Sequence, residues 1–177
     1  MKLVHLTDTH LLPSPQTLFG INAADRLKSA VKSINTYHAD ADFCVITGDI
    51  THLGQPEAFK LFQKIISMLK IPYQLIPGNH DHRKTLLNNL KNITVDENRF
   101  IQYVINHNKD CLLFLDTLDE GRASGILCEK RLHWLRRNLD CATQSNSNIY
   151  IFMHHAPMNV GIEALDKIKL ANGNEFK

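Results

Sequence analysis

The stretch IPGNHDHR, Ile76–Arg83, places a Pro-Gly turn directly after an apolar run and then crowds polar side chains into consecutive positions. The apolar run before the turn, Tyr73–Ile76, is typical of a buried strand. In sheets of parallel strands, ligand-binding side chains gather in the loops that follow the carboxyl ends of the strands. The stretch therefore predicts a strand that ends in a loop able to bind a metal.

Other short runs rich in Val, Ile, Leu, Phe and Tyr also predict strands. The full set is Lys2–Leu6, Phe43–Thr47, Tyr73–Ile76, Ile101–Asn106, Cys111–Asp116 and Asn148–Met153. Apolar residues at helical spacing follow each of the first two strands. The first predicted helix covers residues 23–35, with Asp25 as its expected cap, and the second covers residues 54–70, with Pro56 in its first turn. Alternating strands and helices favour parallel strands and an α/β fold.

The second half of the chain predicts a mixed sheet. The segment INHNKDC, residues 105–111, has the character of an antiparallel hairpin turn between two strands. Residues 128–140 place leucines on one side of a helix ahead of the last strand. Because no repeat, low-complexity tract or linker interrupts the sequence, we expect a single domain over residues 1–177.

Composition narrows the class of protein. The chain has 177 residues, 44% of them hydrophobic, and a formal net charge of +2, which gives no strong field for a nucleic-acid polymer or an anionic membrane. The four cysteines are far apart and indicate reduced thiols, most of them buried. No targeting segment or membrane-length apolar run is visible. We therefore expect a cytoplasmic protein without a membrane partner, and a homodimer is left open.

The ends of four predicted strands carry metal-capable sequence: TDTH at 7–10, GDITH at 48–52, PGNHDHR at 77–83 and MHHAP at 153–157. Oxygen and nitrogen donors without a thiolate suit borderline divalent ions. The candidate ligands are too many for one small ion once water is counted, and they are Asp8, His10, Asp49, Asn79 and His154. Two ions that share Asp49 are the simplest arrangement.

These blocks, in this order and each after a strand, resemble the calcineurin-like metallophosphoesterases, and most closely their class III cyclic-nucleotide phosphodiesterase and glycerophosphodiesterase branch. The matching blocks are Asp8-Thr9-His10, Gly48-Asp49, Gly78-Asn79-His80-Asp81 and His154. The resemblance implies a four-layer α-β-β-α sandwich with mixed sheets. It implies two ions of Fe, Mn, Zn or Co, one held by Asp8, His10 and Asp49 and the other by Asp49, Asn79 and His154.

The family's last block, G-H-x-H, supplies one further histidine to each ion, and nothing after His155 matches it. Residues 157–177 have the character of the start of a lid or helical segment. We therefore expect the chain to be a fragment that is incomplete at its C-terminus. A metal-deficient, inactive module of the same fold is the alternative that follows from this departure.

The expected reaction is hydrolysis of a small phosphodiester, such as 3′,5′-cyclic AMP or a glycerophosphodiester, by a hydroxide held between the two ions. His80 would contact the substrate and give a proton to the leaving oxygen, with Asp81 orienting its ring or instead capping the following helix. Asn79 would also contact the substrate, and Arg83 would either contact the substrate or face solvent. A nuclease of the same superfamily is a second candidate, which the near-neutral charge disfavours.

The remaining histidines carry weaker signals. His52 and His82 lie close enough to the blocks in sequence to line a substrate pocket. The side of the strand that His155 faces is left open, because neighbours in a strand point in opposite directions. Four others are expected to be ordinary strand, helix or loop residues, and they are His5, His38, His107 and His133.

Overall fold

A computed structural model describes residues 1–176 and divides into two compact units, with the boundary between Ile93 and Thr94. Each unit contains one three-stranded sheet. Mixed α/β architecture is therefore confirmed, whereas the single domain over 1–177 stays a prediction. Lys177, the last residue of the expected lid segment, lies outside the described residues.

The first unit is built on a parallel sheet in the order β1-β2-β3. Its strands are β1 (Leu3–Leu6), β2 (Phe43–Thr47) and β3 (Tyr73–Ile76). The central strand β2 is almost completely buried, which explains its unbroken apolar sequence. All three strands run the same way, so the loops that follow them lie at one edge of the sheet.

Three helices belong to this unit: α1 (Ala23–Tyr37), α2 (Pro56–Ile66) and α3 (Arg83–Asn89). Pro56 occupies the start of α2 as predicted, because proline lacks the N–H that the first turn leaves unpaired. The expected cap of α1 was wrong. Asn22 is the N-cap, and its side chain accepts a hydrogen bond from the amide of Asp25, which lies inside the first turn.

The second unit has a mixed sheet in the order β4-β5-β6. Strands β4 (Tyr103–His107) and β5 (Asp110–Phe114) form the predicted antiparallel hairpin, and β6 (Asn148–Phe152) pairs with β5 in parallel. Asn108 adopts a left-handed φ of 56° in the hairpin turn. Helix α4 (Glu129–Gln144) connects β5 to β6, and the short helix α5 (Glu163–Lys167) and a 3₁₀ turn (Gly173–Glu175) follow.

The core of the second unit forms between β5 and α4. Leu113, Leu132 and Leu135 are buried there together with Trp134. This packing explains the leucine spacing seen in the sequence and makes Trp134 a core residue.

The four cysteines are free thiols, as expected. Cys44 and Cys111 are buried, and burial raises the pKa of the Cys44 thiol to about 12. Cys128 is half-buried and Cys141 is exposed, so burial holds for only part of the set. None of the helices in residues 1–176 is both long enough and apolar enough to cross a membrane.

Candidate metal centre

The loops after β1 and β2 are joined side by side by backbone hydrogen bonds. The amide of Asp8 donates to the carbonyl of Gly48 at 3.1 Å, and the amide of His10 donates to the carbonyl of Asp49 at 2.8 Å. Asp8, His10 and Asp49 all adopt left-handed φ angles, of 54°, 42° and 48°. Such angles are unfavourable for side-chain-bearing residues and persist where the surrounding structure imposes them, which is frequent at functional sites.

These three residues bring their donor atoms to one point. Nε2 of His10 lies 3.6 Å from Oδ1 of Asp8 and 3.6 Å from Oδ2 of Asp49. Donor atoms that share one ion at bond lengths of about 2.0–2.2 Å are about 3.0–3.5 Å apart, so these residues fit a divalent ion with little adjustment. The hydrogen bond that His10 donates to the carboxylate of Asp8 raises the pKa of His10; burial opposes this shift and the charge of Asp49 supports it, so this position favours positive charge.

The loop after β3 approaches this point closely because Gly78 has no side chain. A Cβ at Gly78 would overlap the backbone nitrogen and Oδ1 of Asp49. The same Oδ1 accepts a hydrogen bond from the amide of His80 at 2.9 Å. Asp49 is only 3% exposed, so this bond fixes the carboxylate in place between the loops.

His80 has a defined ring orientation. Its Nδ1 lies 2.8 Å from the carbonyl oxygen of His52, and since a carbonyl only accepts, Nδ1 carries the hydrogen. The other nitrogen, Nε2, lies 4.0 Å from Oδ2 of Asp49. Nε2 is therefore the nitrogen that faces the carboxylates.

Asp81 has a different environment from the one the sequence suggested. Its buried carboxylate accepts hydrogen bonds from the amides of Ile50, Thr51 and Gly78 and from the hydroxyl of Thr51, at 3.0–3.2 Å. Burial raises the pKa of this carboxyl group, and the backbone donors oppose that shift. The structure contradicts a capping role, because His82 is the N-cap of α3 and no side chain caps that helix.

His52 is the residue whose importance the sequence understated. Its ring stacks on the ring of His80 at a centroid distance of 5.0 Å, and its Nδ1 lies 3.4 Å from Nδ1 of His10. Burial, and then the charges of His80 and His10, lower the pKa of His52. The available signal was its closeness to Asp49 in the sequence. The alignment of the two loops, in which the amide of His52 donates to the carbonyl of Leu11 at 3.0 Å, is a tertiary feature that the sequence does not reveal.

The other predicted site residues lie at the expected places in the chain. Asn79 occupies the turn between Gly78 and His80 and is half-buried, and Arg83 is the first residue of α3. The ring of His82 packs against Gly54, where a Cβ would collide with it. The roles predicted for Asn79 and Arg83 stay predictions.

His154 and His155 follow β6 in the second unit. His155 is buried, with Nδ1 2.7 Å from the hydroxyl oxygen of Thr117. Burial, and then the charge of His154, lower the pKa of His155 to about 4, so this residue is a neutral core histidine. His154 is half-buried, and its expected role as a ligand stays a prediction.

The model of the calcineurin-like phosphoesterase family matches residues 1–175. The chain belongs to this family. A protein of Rhodopseudomonas palustris named a probable cyclic nucleotide phosphodiesterase is 34% identical over 174 residues, which cover 97% of this chain and 63% of that protein. A glycerophosphodiester phosphodiesterase of Enterobacter lignolyticus is 31% identical over 182 residues, 99% of this chain and 64% of its own length.

A 3′,5′-cyclic adenosine monophosphate phosphodiesterase of Escherichia coli K12 is 27% identical over 177 residues, 99% of this chain and 62% of its own length. The chain thus spans slightly less than two thirds of the length of these three relatives. They agree with the branch of the family that the sequence blocks resemble.

Solved structures show the same fold at low sequence identity. Purple acid phosphatase from yellow lupin seeds superposes with a TM-score of 0.58 and 14% identity, over 88% of this chain and 30% of that one. A protein of Thermus thermophilus gives a TM-score of 0.53 and 13% identity, over 90% of this chain and 70% of that one. The predicted metallophosphoesterase fold is confirmed.

Proposed function

We propose that the protein is a metal-dependent phosphodiesterase that hydrolyses a small phosphodiester, such as 3′,5′-cyclic AMP or a glycerophosphodiester. The observation that carries this proposal is the convergence of Asp8, His10 and Asp49 at the carboxyl edge of a parallel sheet, with His80 directed at the same point. The names of the relatives support the substrate class. The free thiols support a cytoplasmic setting.

Two divalent ions of Fe, Mn, Zn or Co belong to this proposal. Asp8, His10 and Asp49 would hold one, and Asp49, Asn79 and His154 would hold the other, the second set resting on the resemblance to the family. When bound, such ions neutralise phosphate charge and lower the pKa of water. Nitrogen and oxygen donors without a thiolate suit all four metals, and loading follows availability.

The protein's own residues supply position and protons. The carbonyl of His52 holds the Nδ1 hydrogen of His80, so a second proton on this ring resides on Nε2, beside Asp49. From Nε2 the ring can donate a hydrogen bond to a phosphate oxygen or a proton to the leaving oxygen. The guanidinium fork of Arg83 matches a phosphate oxygen pair. Asp81 acts indirectly, by fixing the loops that carry Asp49 and His80.

The test is an assay of the full chain, freed of metal and reconstituted with Mn²⁺, Co²⁺ or Zn²⁺, on bis(p-nitrophenyl) phosphate and cyclic AMP. We expect turnover that requires metal and disappears with a chelator. Asp49→Asn and His80→Gln should each reduce it by at least about 100-fold. The matched control is His38→Gln, because His38 is an exposed residue at the end of α1. Absence of metal-dependent turnover of either ester would refute the proposal.

A further inference from the structure

Three imidazole rings, those of His10, His52 and His80, lie close together beside the carboxylates of Asp8 and Asp49. The centroid of His10 lies 5.4 Å from that of His52 and 4.8 Å from that of His80, and one ring nitrogen of each residue lies within 4.8 Å of the others. We propose that His10, His52 and His80 form a tris-histidine site, which shares His10 with the carboxylate site, for a transition-metal ion such as Zn²⁺, Ni²⁺ or Cu²⁺. Imidazole nitrogens suit these ions.

The spacing of the nitrogens supports an ion better than a hydrogen bond. Nδ1 of His10 and Nδ1 of His52 are 3.4 Å apart. An N–H···N hydrogen bond is normally about 2.9–3.2 Å long. Two nitrogens bound to one tetrahedral zinc at about 2.0–2.1 Å are about 3.3–3.4 Å apart, which is the observed separation.

Lone pairs are available on all three rings. Nδ1 of His80 carries the hydrogen that the carbonyl of His52 accepts, so Nε2 keeps its lone pair. His10 and His52 present the same kind of nitrogen to each other, and each ring can place its hydrogen on the opposite nitrogen. All three side chains are half-buried, so an ion from solution can reach them and keep a water as its fourth ligand.

The tris-histidine site competes with the carboxylate site for His10. A neutral imidazole has one lone pair, so His10 bound through Nδ1 carries a hydrogen on Nε2, the nitrogen that faces Asp8 and Asp49. An ion in the tris-histidine site also occupies His80. Excess Zn²⁺ should therefore inhibit hydrolysis, a consequence that rests on the proposed function, whereas binding of the ion does not.

The test is titration of the metal-free full chain with Co²⁺, whose four-coordinate complexes absorb visible light far more strongly than its six-coordinate ones. We expect the strong bands in the wild type and in Asp8→Asn, which removes a carboxylate ligand only. His52→Gln should lose these bands, with Co²⁺ affinity at the tris-histidine site reduced at least about 10-fold. The control His38→Gln should retain them, and circular dichroism should show that each variant is folded.

Hydrolysis provides a second measurement. We compare the rate of phosphodiester hydrolysis with excess Zn²⁺ to the rate without it. This ratio should be close to one in His52→Gln, because inhibition is lost, and should remain low in His38→Gln. Strong Co²⁺ bands that survive in folded His52→Gln, or that never appear in the wild type, would overturn the tris-histidine site. Either result would leave metal-dependent hydrolysis intact, so failure of this inference is distinguishable from failure of the proposed function.

Discussion

At the scale of single residues, the absence of a side chain at Gly78 lets the loop after β3 approach the loop after β2 closely. A Cβ at this position would overlap backbone and side-chain atoms of Asp49. We expect Gly78→Ala to displace Asp49, to cost about 1–3 kcal/mol of stability and to reduce metal-dependent turnover at least about 100-fold. Urea unfolding and the phosphodiester assay measure the two effects.

The matched control for Gly78→Ala is Gly121→Ala. Gly121 has a left-handed φ of 83° and no heavy atom within 4 Å of an added Cβ. Its substitution should cost about 1 kcal/mol from backbone strain and leave turnover unchanged. Full activity in Gly78→Ala would show that the loops can separate without loss of function.

The lowered pKa of His155 should make the stability of the protein depend on pH. Its pKa is about 4 in the folded protein, whereas an unperturbed histidine, as in the unfolded chain, has a pKa of about 6.5. Between these values the unfolded chain binds more protons than the folded one, so stability falls as the pH is lowered. Proton uptake by His155 in the unfolded chain should lower the free energy of unfolding by about 1.5 kcal/mol as the pH falls from about 6.5 to about 5.

The measurement is urea unfolding of the wild type and of His155→Gln across this range. Glutamine can still bond to the hydroxyl of Thr117 but takes up no proton, so the gap between the two stability curves should change with pH. Parallel curves would contradict the buried neutral state of His155.

At the scale of elements, Asp81 joins the loop after β2 to the loop after β3. Asp81→Asn replaces one acceptor oxygen with an NH₂ group that faces backbone donors already pointing at it. We expect a loss of about 2–4 kcal/mol in the free energy of unfolding, together with lower turnover. Urea unfolding measures the first and the phosphodiester assay the second.

Asp25→Asn is the matched control, since Asp25 is an exposed acid on α1 whose side chain pairs only with Lys28 among the contacts described. It should change stability by no more than about 0.5 kcal/mol. If Asp81→Asn unfolds at the wild-type urea concentration, Asp81 does not hold the two loops together.

The elements themselves were largely readable from the sequence, because each strand is an apolar run between turn residues. The errors in the prediction lie at the ends of the strands and helices. Strand β4 begins at Tyr103 rather than Ile101, since the amide of Ile101 donates to the carboxylate of Asp116 instead of to a neighbouring strand. The same carboxylate accepts from Leu118, beyond the end of β5. Such side-chain competitors depend on tertiary contacts and leave no periodic signal.

The candidate metal centre was predictable from the sequence to a similar extent as the strands and helices. Asp8, His10 and Asp49 were expected together because parallel strands end at one edge of a sheet, and the structure brings them there. The position of His52 was not readable, because it depends on the bridge between Leu11 and Thr51 that continues the strand pairing into the loops. Local composition cannot reveal the register of two loops.

At the scale of the whole molecule, the candidate ligands are divided between the two units. Asp8, His10, Asp49 and Asn79 belong to the first, and His154 follows β6 of the second. The family match over residues 1–175 covers both units. In the proposed function, the second ion requires His154.

His154→Ala tests this requirement. We expect bound metal to fall towards one ion per chain and turnover to fall at least about 100-fold, because the proposed second ion would lose a ligand while Asp8, His10 and Asp49 would still hold the proposed first ion. Elemental analysis of the reconstituted protein and the phosphodiester assay measure both quantities. His133→Ala, at an exposed position on α4, should change neither. Two tightly held ions and wild-type turnover in His154→Ala would exclude His154 as a ligand and leave the metal chemistry to the first unit.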